Sequence, residues 1–242
     1  MKNKYSIITV CKNSEKTIRQ TIESVINQTY DNWEHIIVDG ASTDSTVEII
    51  EEYALKYQSK IKYISEPDYG IYDAMNKGIR MAAGDFVAIL NSDDYYELDT
   101  LQKIESAVSS KRKTVYYAME RMIQDDIEES CSILNHHFLN NHMIWHEACF
   151  LSKDIYDELG LYSTEYKSAS DYDYFIKLYL NKSINFVPVY EVTTNFRTGG
   201  ASFSYIAAVE ENKIKLKYGF VKKKDYLTRQ LFNWLKHLIG TL

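Results

Sequence analysis

The chain has 242 residues, 45% of them hydrophobic and 26% charged, with two prolines and a net charge of −6. That composition fits one large α/β domain with a short appendage and argues against long disordered linkers. No apolar window reaches the length needed to span a bilayer, and the N-terminal MKNKYSIITV runs into a strand without an apolar signal region. The three cysteines, Cys11, Cys131 and Cys149, are odd in number and lack the spacing of a metal knuckle, which predicts a reducing, cytoplasmic setting. Charge is unevenly placed. Residues 213–242 carry eight basic side chains against one acid, Asp225, a local charge of +7 that leaves −13 on residues 1–212. An acidic body argues against a nucleic-acid enzyme, and a basic tail points to an anionic partner. The 21 tyrosines suit a sugar-binding cleft, since the ring stacks and the hydroxyl hydrogen-bonds, although most such rings serve the core.

In chain order, YSIITV (5–10) reads as a buried strand. The helix after it has Ile18, Ile22, Val25 and Ile26 at helical spacing and Ser14 as its N-cap. EHIIVDG (34–40) is a second strand, and Asp44 or Ser45 in the following ASTDST loop caps the helix TVEIIEEYALKY. IKYIS (61–65) is a short strand, EPDYG a turn, AMNKGIRMA a helix, and DFVAIL (85–90) a strand ending in NSDD. This alternation predicts a parallel sheet with helices on both faces. Ligands of such sheets bind beyond the carboxyl ends of the strands, where Asp39 and Asp93 fall. Further on, 114–120 reads as a strand and 142–152 as a strand or extended segment. SKDIYDELG is a short helix stopped by glycine, 170–182 a helix, and INFVPVYEVTTNF one or two strands.

Four constellations carry chemistry. The strand-end NSDD (Asn91–Asp94) offers oxygen ligands for Mg²⁺ or Mn²⁺, a cation able to bridge two phosphates and assist a leaving diphosphate. The same residues also suit a plain turn. Asp39, in IIVDGASTDST, can accept from a base N–H or a ribose hydroxyl, with a helix N-terminus behind it that favours anions. EPDYGIYDAMNKG supplies Asp68, Asp73 and Asn76, or else a surface turn entering a helix. SDYDYF places Asp171 and Asp173 at a helix start, where a carboxylate serves either as general base for an acceptor hydroxyl or as a helix cap.

Taken together, SIITVCKN, SVINQTYDNWEHIIVDGASTDST, ISEPDYGIYDAMNKGIRMAAGDFVAILNSDD and IWHEACFLSKDIYDELGLY with SASDYDYFIKL resemble the family-2 inverting glycosyltransferases of GT-A fold. They are most similar to the small bacterial enzymes that assemble O-antigen, capsule or other surface polysaccharides, and the resemblance runs from about residue 5 to 180. It implies a Rossmann-like, mostly parallel central sheet flanked by helices. It also implies a catalytic domain over 1–212, with a nucleotide-sugar half to about residue 95 and an acceptor half over 96–212. By the resemblance Thr9 and Asp39 contact the nucleotide, Asp68 lines the same pocket, and Asp93 is the main metal ligand of an Asp-x-Asp motif. His146 matches a residue near the acceptor or diphosphate, UDP is the nucleotide, and Asp171 stands where the family places its catalytic base.

The chain departs from the family pattern at three positions. Asn91 stands for the first Asp of the metal motif, an uncharged oxygen ligand in place of a charged one. Gly40 replaces the second Asp of Asp-Asp-Gly, and Ser170 replaces a Glu before the base. Asp171 and Asp173 point to different faces of their helix, so only one enters a cleft. Arg197 is placed to bind phosphate or acceptor, and NFRTGGASF (195–203) reads as a lid hinged at Gly199 and Gly200 or as a plain turn.

The tail, 213–242, is expected to be a basic amphipathic helix. Leu227, Leu231, Trp234, Leu235, Leu238 and Leu242 form one face, Arg229 and Lys236 the other, and Lys222–Lys224 precede it. Residues 222–242 suit the inner surface of an anionic membrane beside a lipid-linked acceptor. The same stripe also suits docking on the domain or on a second copy of the chain. Two enzyme alternatives need glycines that are missing. A sugar nucleotidyltransferase requires a Gly-rich loop where this chain has CKNSEKT, and a dinucleotide fold requires G-x-G-x-x-G after a strand. A non-enzymatic nucleotide-sugar-binding module would not need Asp93 and Asp171 together.

Overall fold

In the computed structural model, which describes residues 2–199 and 204–238, the chain forms a nine-stranded mixed sheet with helices on both faces. Its parallel half comprises β1 (Tyr5–Cys11), β2 (Trp33–Asp39), β3 (Ile61–Ser65) and β4 (Phe86–Ile89) in the order β3-β2-β1-β4. The β-branched runs of β1 and β2 are buried on both faces, as expected where helices cover a parallel sheet from either side. Pleating divides them. Ile8, Val10, Ile36 and Val38 pack under α3 (Ile71–Met81), whereas Ile37 packs under α1 (Ile18–Ile26) and α2 (Thr46–Lys56). Each such aliphatic contributes roughly 1.5–3 kcal/mol of burial. Gly78 lets α3 lie close, because a Cβ there would meet Ile8 Cγ2 at 2.4 Å.

The second half extends the sheet past β4 through β8 (Cys149–Ser152), β6 (Thr114–Gln124), β9 (Asn185–Arg197) and the two-residue β5 (Tyr95–Tyr96). β8 runs antiparallel to β4 and β6, while β9 runs parallel to β6. β7 (Ile127–Ser132) makes a hairpin with β6. The 142–152 segment is a strand only over β8, preceded by a 3₁₀ turn at His146–Ala148. α4 (Thr100–Ala107) joins the α1 face; α5 (Asp154–Leu159) and α6 (Ser170–Leu180) join the α3 face.

Glu34 of β2 ties the sheet bottom together. It accepts from Ser6 Oγ and Ala83 N (2.7 Å each) and pairs with Lys4 and Lys62 (3.0 Å each). Burial alone would raise its pKa; the Ser6 hydroxyl, the Ala83 N–H and the two ammonium groups outweigh burial and hold it at about 2.

Two expectations change, and one stated alternative is chosen. Ser14 is not the α1 cap: a turn intervenes, the helix begins at Ile18, and the Ser14 hydroxyl instead meets Ser92 Oγ at 2.8 Å. Asp44 rather than Ser45 caps α2, accepting from Thr46 N at 3.0 Å. The boundary at 212/213 falls inside α7 (Tyr205–Lys217), whose Ile214 and Lys215 are buried in the domain. The tail helix proper is α8 (Lys223–Leu238), held on α7 by Gln230 Nε2 donating to Val209 O (3.2 Å) and by stacked Tyr205 and His237 rings. The Leu238 side chain and Leu242 lie outside the described residues.

Candidate functional site

The strand order reverses direction at β1: the chain builds outward through β2 and β3, then returns to place β4 on the other side. A crevice must open between the loops leaving β1 and β4. It does, as a cavity of about 800 Å³ walled by Val10–Thr17, Asp44, Asp68, Gly70, Ile71, Ala74, Asn91–Asp93 and Phe196. That volume lies in the range of small-molecule sites. Lys12 and Lys16 bring positive charge to its wall, which suits a diphosphate.

Asp68 reaches this wall because position 40 is glycine. A Cβ there would meet Asp68 Oδ2 at 2.3 Å, so the departure from Asp at position 40 makes room for the Asp68 carboxylate, which also accepts from Gly70 N at 2.9 Å. Thr9 and Asp39 do not line the cavity. The pleat sends Val10 toward the opening and Thr9 to the opposite face, where its hydroxyl meets His35 Nε2 at 2.9 Å in full burial. Asp39 is spent on its own turn, accepting from Ser42 N (2.9 Å), the Ser42 hydroxyl and Ser65 Oγ (2.7 Å). Both side chains have hydrogen-bond partners within the fold.

At the end of β4, Asp93 is half-buried in the wall, and its carboxyl is raised above the usual value by burial, which outweighs the lowering by its own backbone and Arg197. Asp94 turns inward. Its Oδ1 accepts from Arg197 N at 2.8 Å, while Oδ2 is buried without a partner. Arg197 lines none of the three cavities of about 800, 280 and 50 Å³. Its guanidinium is held by the Asp93 carbonyl, by Gln20 Oε1 at 2.5 Å and over the Tyr95 ring, which braces the loop after β4. Asn91 donates to Glu147 Oε1 at 2.7 Å and keeps a buried, unpartnered Oδ1. Among the described residues no group of three or more His, Cys, Asp or Glu side chains is arranged to hold a metal ion. Asp93 and the orphaned Asn91 oxygen fit a hard cation that takes its remaining oxygens from a phosphate and water. Gly199 is in the left-handed region, at φ +100°; Gly200 and residues 201–203 of the expected lid lie outside the described residues.

Asn91 and Ile71 also line a pocket of about 50 Å³, which shares His146, Glu147, Ser168 and Asp171 with a second cavity of about 280 Å³. Asp171, His146 and Glu147 line both of these. The helix-face choice is thereby decided. Asp171 faces the cavities and accepts from the Tyr72 hydroxyl at 2.7 Å. Asp173 is 1% exposed and clamped by Lys217 (2.7 Å) and Lys177 (3.1 Å). Burial of Asp173 opposes ionisation, and the two lysines overcome it to lower the pKa. His146 donates to or accepts from Tyr162 Oη at 2.9 Å; burial lowers its pKa, against the Asp171 charge. It therefore offers a hydrogen bond and no positive charge near neutrality.

Glu147, Tyr72, Lys12 and Lys16 escaped the sequence reading. Glu147 stands beside the singled-out His146, and Tyr72 inside the singled-out EPDYGIYDAMNKG, but their partners Asn91 and Asp171 lie 56 and 99 residues away. Glu147 is pushed up to about 8 by burial and by Asp171 and Asp93. Asp94 and Glu120 are also raised, first by burial and then by Glu147, with Asp93 adding to Asp94 and Asp94 adding to Glu120.

The family model described as Glycosyl transferase family 2 matches residues 6–160. A PGL/p-HBAD biosynthesis glycosyltransferase of Mycobacterium bovis (strain BCG / Pasteur 1173P2) is 27% identical over 182 residues, covering 74% of this chain and 71% of the relative. Among solved structures, S. aureus TarS 1–349 in complex with UDP is similar with a TM-score of 0.69 and 20% identity, over 98% of this chain and 72% of that one. The mannosyltransferase PcManGT of Pyrobaculum calidifontis, in complex with GDP-Man and Mn²⁺, has a TM-score of 0.69 and 16% identity, over 100% of this chain and 71% of that one. At these identities the two structures speak to the shared fold.

Proposed function

The chain belongs to glycosyl transferase family 2, and from that premise we propose that it transfers a sugar from a UDP-sugar to an acceptor hydroxyl with inversion at the anomeric carbon. The observation that carries this reading is the chain of shared lining residues: Asp93 and Asn91 line the large cavity, Asn91 and Asp171 the small pocket, and Asp171 the second cavity. A donor diphosphate lies beside Lys12 and Lys16, and Asp171 faces the place where an acceptor enters. Asp171 takes the proton from the acceptor hydroxyl, with Tyr72 holding the carboxylate in place. The acceptor oxygen forms its bond to the anomeric carbon from the face opposite the diphosphate, and the sugar–diphosphate bond breaks with its electron pair leaving on the phosphate oxygen. This is a single in-line displacement with the logic of inverting glycoside chemistry. Asp93 and the Asn91 amide oxygen would hold a divalent cation, Mn²⁺ or Mg²⁺, which would supply positive charge against the leaving diphosphate.

The nucleotide part is tested by thermal shift with UDP, GDP, dTDP and CDP, each with Mn²⁺, Mg²⁺ or EDTA. At one hundred times Kd, binding adds about 2.7 kcal/mol, which for a chain of this size raises Tm by on the order of 5–10 °C. A rise with UDP that EDTA removes is the expected result. No rise with any nucleotide would overturn the donor site.

The acceptor fits a lipid-linked saccharide of bacterial surface-polysaccharide synthesis, used on the cytoplasmic face of the membrane. Among the described residues no helix is long and apolar enough to cross a membrane. α8 nevertheless leaves Leu227, Leu231, Phe232, Trp234 and Leu235 about half exposed, next to Lys222–Lys224 and Arg229. This exposed stripe supports binding to an anionic surface more than packing on its own domain. The protein is expected to co-sediment with phosphatidylglycerol vesicles and not with phosphatidylcholine vesicles. The double variant Leu231→Asp/Leu235→Asp should lose that binding; if it instead splits a dimer that never pellets, α8 is a subunit interface.

A further inference from the structure

The cavity beyond Asp171 is unlike the donor cavity. Met122, Leu134, Met143, Ile144, Trp145 and Phe196 contribute to its wall. Trp145 and Tyr172 present carbon to it, since the Trp145 indole N–H is committed to Ser132 O (3.1 Å) and the Tyr172 hydroxyl to Leu139 O (2.7 Å), while His142 and His146 add imidazole rings. Its acidic groups are Glu120, Glu147 and Asp171 from the domain, and Glu211 from α7; burial raises Glu120 and Glu147 toward the neutral form. Both Glu120 oxygens are buried without a hydrogen-bond partner. Among the described residues no lysine or arginine lines it. Lys215 is close by, over the Tyr172 ring, but is tied to Glu211 at 3.3 Å, and Lys167 belongs to the narrow connecting pocket.

A diphosphate placed here would meet Asp171 and Glu211 in a wall that, among the described residues, holds no lysine or arginine, whereas an uncharged apolar group would bury carbon against carbon. Resting on the glycosyltransferase reading above, we propose that this cavity receives an uncharged apolar group, aryl or short alkyl, joined directly to the hydroxyl-bearing part of the acceptor. A negatively charged phosphate linkage is excluded from that position. Any lipid phosphate of the acceptor lies outside the cavity, beyond the apolar group or a further sugar.

The test uses the full chain with UDP and Mn²⁺ and saturation-transfer NMR. The probes are phenyl glycosides, methyl glycosides and glycosyl 1-phosphates of glucose, galactose, mannose and N-acetylglucosamine. At least one phenyl glycoside is expected to receive saturation on its aryl protons and to bind about tenfold tighter than its methyl counterpart, with the 1-phosphate weakest. Met143→Asp and, as a second variant, Leu134→Asn should bring phenyl and methyl to parity while keeping the nucleotide-induced thermal shift, which shows that they are folded. Absence of an aryl signal, equal binding of phenyl and methyl forms, preference for the 1-phosphate, or an aryl preference unchanged in both folded variants overturns the proposal. If the nucleotide shift persists in the wild-type protein, only the acceptor inference falls; if no nucleotide binds, the underlying reading falls with it.

Discussion

Asp171→Asn is expected to lower kcat by about 10³-fold, within the range for loss of a general base and equal to about 4 kcal/mol of barrier. The amide keeps an oxygen that can accept from the Tyr72 hydroxyl, now 2.7 Å from the carboxylate, so the fold and the nucleotide-induced thermal shift should be unchanged. What is lost is the proton acceptor. Asp173→Asn is the control two residues away. Its carboxylate is buried and held by Lys177 and Lys217, whose side chains are 41% and 45% exposed. Solvent screening of those lysines limits the loss to about 1–2 kcal/mol of stability, and kcat should stay within about twofold of the parent. Steady-state kinetics and melting curves on both variants separate the roles. Near-normal turnover by Asp171→Asn would remove it from the mechanism, and a turnover collapse confined to Asp173→Asn would reverse the assignment.

Asp93→Ala is expected to reduce kcat/KM by about 10²-fold or more, since the charge that opposes the leaving diphosphate is worth several kcal/mol. It should also erase the difference between Mn²⁺ and EDTA in the UDP thermal shift, leaving the smaller, metal-independent rise that Lys12, Lys16 and Asp68 sustain. The Asp93 carbonyl, which receives Arg197, is retained in the variant, so the loop stays braced. A variant whose UDP shift still depends on Mn²⁺ would move the cation elsewhere, with Asp94 and its unpartnered Oδ2 the first place to look. Arg197→Ala offers a contrast: it removes a brace on the loop, and should lower stability as well as turnover.

Much of the donor half was legible because its signals are local. β-branched runs make buried strands, each run ends in a polar loop, and the right-handed crossover rule puts those loops on one edge. Strand-end position placed Asp39 and Asp93 at one crevice without coordinates, and the family resemblance added Asp68; of these, Asp68 and Asp93 line the cavity. The acceptor half was less legible. α7 has charged and apolar residues mixed around its circumference and was read as the start of a tail, although Ile214 and Lys215 are buried. The 142–152 run looked like one strand, yet a 3₁₀ turn occupies His146–Ala148 and swings Glu147 into the cleft.

By itself the sequence determined the α/β architecture, the strand-end placement of Asp39 and Asp93, and the family, since each rests on periodicity or on a contiguous motif. Only the tertiary structure decided which member of a pair faces the chemistry. Thr9 or Val10, Asp171 or Asp173, and Arg197 as ligand contact or brace differ by a side-chain direction, and that direction is set by partners distant in the chain: His35 for Thr9, Lys217 for Asp173, Gln20 for Arg197. A linear pattern records which residues are polar. It does not record which of them already have their hydrogen bonds satisfied by the fold and which are left to meet a ligand.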